Sequence, residues 1–242
     1  MNSISTLYKK AFSLFTEGLA TFFIISLIMM AVLFAVIFVG IFIVVFAAVL
    51  VPILAELTKE VSSSLFTIVL ILGITVAVLL GLVVIAVSLM VGALGQGAMV
   101  LAADDVHKKK ELKKASEYYK RVSLRKWELF GLTVLQGICV SVGLLFFIIP
   151  GLLLAVFFLF TYYSMLLKKM SIRNSMADSF SIVRDNFWGV LGRFLLLMLA
   201  LQFFGAAVGW IPLANIAVSI LGSAFAVSYY YIMFISVSKK TT

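Results

Sequence analysis

Hydrophobic and polar positions along this chain come in blocks rather than in alternation. Four stretches without a charged residue lie between Glu17 and Glu56, Glu60 and Asp104, Glu128 and Lys168, and Arg193 and Lys239, each 38 to 45 residues long. A helix rises 1.5 Å per residue and a bilayer's hydrocarbon core is about 30 Å thick, so about 20 residues cross it once. Each block therefore holds one long helix or a hairpin of two, and turn residues separate the cases. The third block contains Phe147-Ile148-Ile149-Pro150-Gly151, the fourth Gly209-Trp210-Ile211-Pro212-Leu213-Ala214-Asn215. Proline lacks a backbone donor and biases the residue before it away from helix, so Pro150, Gly151 and Pro212 mark hairpin turns. The first two blocks have no mid-block proline, Pro52 lying at the end of the first. Each reads as one long, tilted or protruding helix, with Gly95-Gln96-Gly97 marking a possible break in the second.

The fold class that follows is all-α: a polytopic helical membrane protein, residues 1–242 forming one membrane domain. Six transmembrane helices in three hairpin-like units are expected at roughly 19–51, 64–96, 129–149, 152–167, 190–210 and 213–237. Eight spans result instead if both early blocks fold back on themselves. The first block is too long for the 7–15-residue core of a cleaved signal peptide. A short amphipathic segment precedes each unit, at roughly 3–16, 108–122 and 172–187. Their stripes are Ile4, Leu7, Ala11 and Leu14; then Leu112, Ala115, Tyr118 or Tyr119, and Val122; then Ile172, Met176, Phe180, Val183 and Phe187. Basic helices of this kind suit the headgroup layer of an anionic leaflet, or else the ends of the spans.

Composition excludes the soluble and disordered alternatives. The chain is 64% apolar and 12% charged with mean hydropathy +1.23, against roughly 45–50% and about 25% in globular domains. Its 22 Phe are foreign to disordered chains. Charge sets the topology: with six spans, 18 of the 19 Lys and Arg fall on one side and only Lys59 on the other. Lys/Arg excess marks the cytoplasmic side, so both termini are expected there.

The second half contains a repeat. Trp127 and Trp188 each start an apolar stretch followed by a proline, Pro150 and Pro212. Each hairpin then runs into tyrosines (Tyr162-Tyr163; Tyr229-Tyr230-Tyr231) and a Lys-Lys pair, Lys168-Lys169 or Lys239-Lys240. The order of elements, with Leu144–Gly151 followed by a hydrophobic helix and by Ser175-Met176-Ala177-Asp178-Ser179-Phe180, resembles the glycerophosphoryl diester phosphodiesterase membrane-domain superfamily, including its YciC-like stand-alone bacterial members. The resemblance covers nearly the whole chain and implies a six-span bacterial inner-membrane protein. It implies no catalytic residues, because in fused members the phosphodiesterase chemistry belongs to a separate soluble domain.

Candidate chemistry is sparse. Cys139, the one cysteine, excludes an internal disulfide. The spans hold no ionisable residue that would mark an intramembrane site, and no nucleotide, zincin or hydrolase motif is present. Asp104, Asp105 and His107 invite a metal reading, but Lys108, Lys109 and Lys110 beside them would repel a cation. No catalytic, cofactor or metal site is expected, and the chain reads as non-enzymatic. The neutral polar residues Gln96, Gln136, Gln202 and Asn215 either link helices or line a polar cavity. Lys108, Lys109, Lys110, Lys113, Lys114, Lys120, Arg121, Arg125 and Lys126 are candidates for anionic-lipid contact, or serve only to fix topology. A membrane-tethered loop without a binding fold is an unlikely partner for nucleic acid.

Three functions remain open: binding, moving or organising membrane lipids; anchoring or regulating a partner protein; and a channel or transporter for a neutral solute. Topology is directly testable. In a variant lacking Cys139, a cysteine introduced by Lys240→Cys is expected to react with impermeant thiol reagents only from the cytoplasmic side. One introduced by Lys59→Cys should react only from the opposite side. Labelling of both from the cytoplasmic side would exclude six spans and leave the eight-span arrangement.

Overall fold

A computed structural model describes residues 4–59, 63–208, 210 and 212–238. Every regular element among them is an α-helix. These are α1 (Ile4–Glu17), α2 (Leu19–Lys59), α3 (Ser63–His107), α4 (Ala115–Ser123), α5 (Lys126–Phe146), α6 (Ile148–Phe157), α7 (Thr161–Leu167), α8 (Ile172–Asp185), α9 (Phe187–Val208) and α10 (Pro212–Ser238). Six segments are long and apolar enough to cross a membrane: Leu19–Leu54, Thr67–His107, Lys126–Phe146, Ile148–Leu167, Phe187–Val208 and Ile216–Ser238. The chain is a multi-pass helical membrane protein.

Several boundaries differ from the sequence expectation. α2 runs through Pro52 to Lys59, and α3 runs without a break through Gly95-Gln96-Gly97 to His107. Just beyond the end of α3 the chain leaves the right-handed region, with φ +50° at Lys109. The helix expected over 108–122 is confined to Ala115–Ser123, because the preceding run of lysines forms a turn and coil. Leu112 therefore leaves the expected stripe and is exposed.

The first proline hairpin turns at Phe147, whose extended backbone separates α5 from α6. Pro150 and Gly151, expected as the turn itself, instead occupy the first turn of α6, where a missing backbone donor costs nothing. Gly151 is needed for a different reason. A Cβ on Gly143 would fall 2.9 Å from the Gly151 Cα, and one on Gly151 would collide with Leu144. Two glycines thus let α5 and α6 cross at backbone contact. Pro212 likewise sits at the first residue of α10. The Trp210 indole N–H donates to the Ala207 carbonyl at 3.0 Å, satisfying one of the carbonyls left open where α9 ends.

The chain divides into two compact units. One is the hairpin Met29–Gly92, formed by parts of α2 and α3. Its side chains are almost all exposed or half-buried, as expected of helices solvated by lipid on every side. The other unit, residues 1–28 and 93–242, contains the rest of the buried core. There the amphipathic faces are used up by protein. Leu7, Ala11 and Leu14 of α1 are buried, and α1 lies on α10 with Tyr8 against Tyr229 at 5.0 Å and Phe15 edge-on to Phe225 at 5.8 Å. Ala115, Tyr118 and Val122 of α4 are buried as well. The Tyr119 hydroxyl donates to the Ile25 carbonyl at 2.9 Å. Burial pushes that hydroxyl up to about 12, so it stays a donor at neutral pH.

In α8 the buried positions are Ser175, Ser179, Ile182 and Val183, a face rotated from the apolar stripe read in the sequence. Its purpose is visible at residues 158–160, where the fourth span breaks between α6 and α7. The Ser179 hydroxyl donates to the Phe157 carbonyl at 2.7 Å and accepts from the Phe160 N–H at 3.1 Å. Gln136 and Thr161 donate to the Phe158 carbonyl at 3.3 and 2.7 Å. The corresponding helix of the second hairpin, α10, is unbroken, so the two halves of the repeat differ at this point.

Substitution of the paired glycines tests the hairpin. Gly143→Ala is expected to destabilise the detergent-solubilised protein by about 1–3 kcal/mol, as at other overpacked sites, and so to lower its unfolding temperature. Gly137→Ala on the same helix, where a Cβ meets nothing within 4 Å, should leave it unchanged or raise it. Equal behaviour of the two variants would contradict the close crossing.

Candidate functional site

Charged side chains gather around the ends of α3, α4 and α7, and most of them are occupied. Asp105, two residues before the end of α3, is 3% exposed. It accepts from Arg121 of α4 at 3.1 Å, with Lys110 at 4.0 Å. Asp104 accepts from Lys108 at 2.7 Å and from the Tyr231 hydroxyl of α10 at 2.9 Å. Both carboxylates read in the sequence as part of a loop are therefore helical. They tie α3 to α4 and to α10.

Arg125 is fully used. Its guanidinium donates to the Met165 and Met170 carbonyls at 2.8 and 2.7 Å and pairs with Glu128. This side chain therefore holds the end of α7 and the segment after it to the start of α5. On the far side of the α7–α8 connection, Asp178 accepts from Ser164 at 2.6 Å and Lys168 at 2.8 Å. Lys113 pairs with Glu117 at 3.8 Å, and Lys126 lies 5.8 Å from the centre of the exposed Trp127 ring. Of the nine basic residues singled out, Lys109, Lys114, Lys120 and Lys126 form no ion pair among the described residues. The same holds for Lys9 and Lys10 of α1.

Three of these lysines converge. Lys9, Lys10, Lys109 and His107 line a recess of about 420 Å³ with Ser13, Leu14, Glu17, Val106 and Ile232. Glu17, its one acid, accepts from Ser13 at 2.9 Å. The His107 ring meets the Tyr231 ring edge-on at 5.4 Å. Lys109 is held there by the end of α3: its N–H donates to the Val106 carbonyl at 3.0 Å and the Lys110 N–H to the Asp105 carbonyl at 2.9 Å. This double closure puts its central residue in the left-handed region, a place usually taken by glycine. A lysine there costs about 1 kcal/mol relative to glycine.

The neutral polar residues do not converge in the same way. Gln136 is half-buried and spends its amide on the Phe158 carbonyl, while Gln96 and Gln202 are exposed on their helices. The Asn215 side chain lies outside the described residues. One ionisable residue escaped the sequence reading: Arg193 lies inside the fifth span and is 6% exposed. Counting apolar blocks from charge to charge placed it at a boundary. The helix in fact begins at Phe187, and the Tyr229 hydroxyl donates to the Arg193 carbonyl at 3.4 Å. Ser179 was also missed as a functional side chain. Its signal is the pair Ser175 and Ser179, four residues apart on a helix that otherwise has a clear apolar stripe.

Compared with protein-family models, curated proteins and solved structures, the chain matches none.

The buried carboxylate gives the site its test of coupling. Arg121→Gln is expected to destabilise the protein by about 1–3 kcal/mol, because it leaves the Asp105 carboxylate short of its nearest donor. Adding Asp105→Asn should restore part of that loss. Additive losses in thermal unfolding would show that the pair does not interact.

Proposed function

We propose that this chain is a non-enzymatic protein of the bacterial inner membrane, with both termini cytoplasmic, that binds, moves or organises membrane lipids. The observation that carries the reading is the hairpin Met29–Gly92. Its two helices leave clefts of about 510, 560 and 340 Å³ between them, two of which fall well within the roughly 300–1,000 Å³ of small-molecule sites. The walls are aliphatic: Val44, Val51 and Leu70 in one cleft, Val36, Leu80 and Val84 in another. Only Glu56, at one end of the first, carries a charge. Apolar clefts of this kind, with no water to fill them, suit acyl chains. Unpaired lysines elsewhere in the chain suit anionic headgroups. The resemblance of the chain to the membrane-domain superfamily, carried by its Pro-Gly hairpin and the helix after it, agrees with a role inside the membrane.

A second reading, an anchor or regulatory subunit for a partner protein, rests on the same hairpin. Gly81 and Gly92 lie 11 residues apart, three turns along one face of α3, and a Cβ at either would meet nothing within 4 Å. Small residues on an open face allow another helix to approach closely.

Gentle extraction into lipid nanodiscs followed by mass spectrometry separates the readings. Lipid handling is expected to yield a headgroup-selective lipid at fixed stoichiometry with no protein partner. A stoichiometric protein partner with lipids in bulk proportion would reject it in favour of the subunit.

A further inference from the structure

We infer that the recess between α1, the end of α3 and α10 is a binding site for a phosphate-bearing anion, held by Lys9, Lys10 and Lys109. The inference rests on the lipid reading above for its biological source but not for its chemistry. Most of the other cations near the ends of α3, α4 and α7 have a local carboxylate, carbonyl or ring: Lys108, Lys110, Lys113, Arg121, Arg125 and Lys168 are all engaged. The three recess lysines form no ion pair among the described residues, yet they line one concavity of about 420 Å³. Like charges gathered without counter-charge repel one another, and an anion between them removes that repulsion. Glu17 offsets one of the three charges, and its carboxylate is engaged by Ser13. The site keeps a net positive charge.

The backbone supplies an independent observation. Lys109 occupies the left-handed position that closes α3, with φ +50°. Glycine would end the helix there without strain; the lysine in its place keeps a cation fixed at the recess. The apolar wall, Leu14, Val106 and Ile232, leaves room for the carbon skeleton beyond a phosphate, as in a glycerophosphate headgroup. A phosphate monoester or diester fits this set, and a free phosphate ester and a phospholipid headgroup share that chemistry.

The strained lysine also provides a clean variant. Lys109→Gly removes the charge and relieves the backbone, so its unfolding temperature is expected to equal or exceed that of the parent. Lys169→Gly is the matched control, since Lys169 is the other non-glycine residue with positive φ (+55°) and does not line the recess. The full chain would be placed in nanodiscs of phosphatidylcholine doped with phosphatidylglycerol, and lipids retained on release counted by native mass spectrometry. In parallel, soluble glycerol 1-phosphate would be titrated against the protein in detergent.

Phosphatidylglycerol retention should fall roughly fivefold for each recess lysine removed, in Lys109→Gly and in Lys9→Gln/Lys10→Gln, and stay at the parental level in Lys169→Gly. That outcome establishes the site with a lipid as its source. Binding of glycerol 1-phosphate that is lost in Lys109→Gly, without selective lipid retention, keeps the site and assigns it to a soluble ester; the lipid reading then fails. Selective lipid retention that all variants share keeps the lipid reading and overturns the site. Absence of both kinds of binding overturns the site as well.

Discussion

Inside hydrocarbon no water is present to pair with a backbone N–H or C=O, and each unpaired group costs several kcal/mol. That requirement explains why every span is helical and why the one interruption of a span is so heavily furnished. At residues 158–160 the fourth span breaks, and three groups replace the lost ladder with four bonds: the Ser179 hydroxyl with two, the Gln136 amide and the Thr161 hydroxyl. Ser179 comes from α8, which is itself held by Asp178 through Ser164 and Lys168. A charged contact at the end of α7 thus fixes the helix that completes a break within the apolar span. α8 is a structural part of the bundle and not a surface ornament.

The same requirement separates what was legible in the sequence from what was not. Apolar block lengths and two prolines were enough for six helices, because a span's length and its lack of charge are one-dimensional properties. Faces and endpoints are three-dimensional. The stripe Leu7, Ala11 and Leu14 was visible in the sequence, but whether lipid or α10 would cover it depends on where α10 runs. α8 has two candidate faces, and the polar one is buried because a broken helix needs its hydroxyl. Arg193 was lost for a simpler reason: the helix that carries it begins six residues earlier, at Phe187. The candidate lysines formed a single undifferentiated run in the sequence. Only the positions of Asp104, Asp105, Glu117 and Glu128 sort those already neutralised from those still open.

Paired and unpaired cations therefore do different work in this protein. Arg121 and Arg125 are fasteners. Arg121 reaches a carboxylate buried in α3, and Arg125 reaches two carbonyls at the end of α7, so neither adds to the surface field as a free charge would. Lys9, Lys10 and Lys109 keep theirs.

The unequal lengths of the spans bear on the membrane itself. The first two have 36 and 41 residues, whereas the other four have 20 to 23. At 1.5 Å per residue the 36-residue span is about 54 Å long, nearly twice a typical hydrocarbon thickness. Tilt alone would have to reach about 55° to hide it, beyond the 0–40° at which spans normally lie. Short and long spans in one polypeptide ask the bilayer for two thicknesses at once. The excess length of the first two spans has to be taken up by tilt, by protrusion from the bilayer or by local thickening of it, each at a modest cost per ångström.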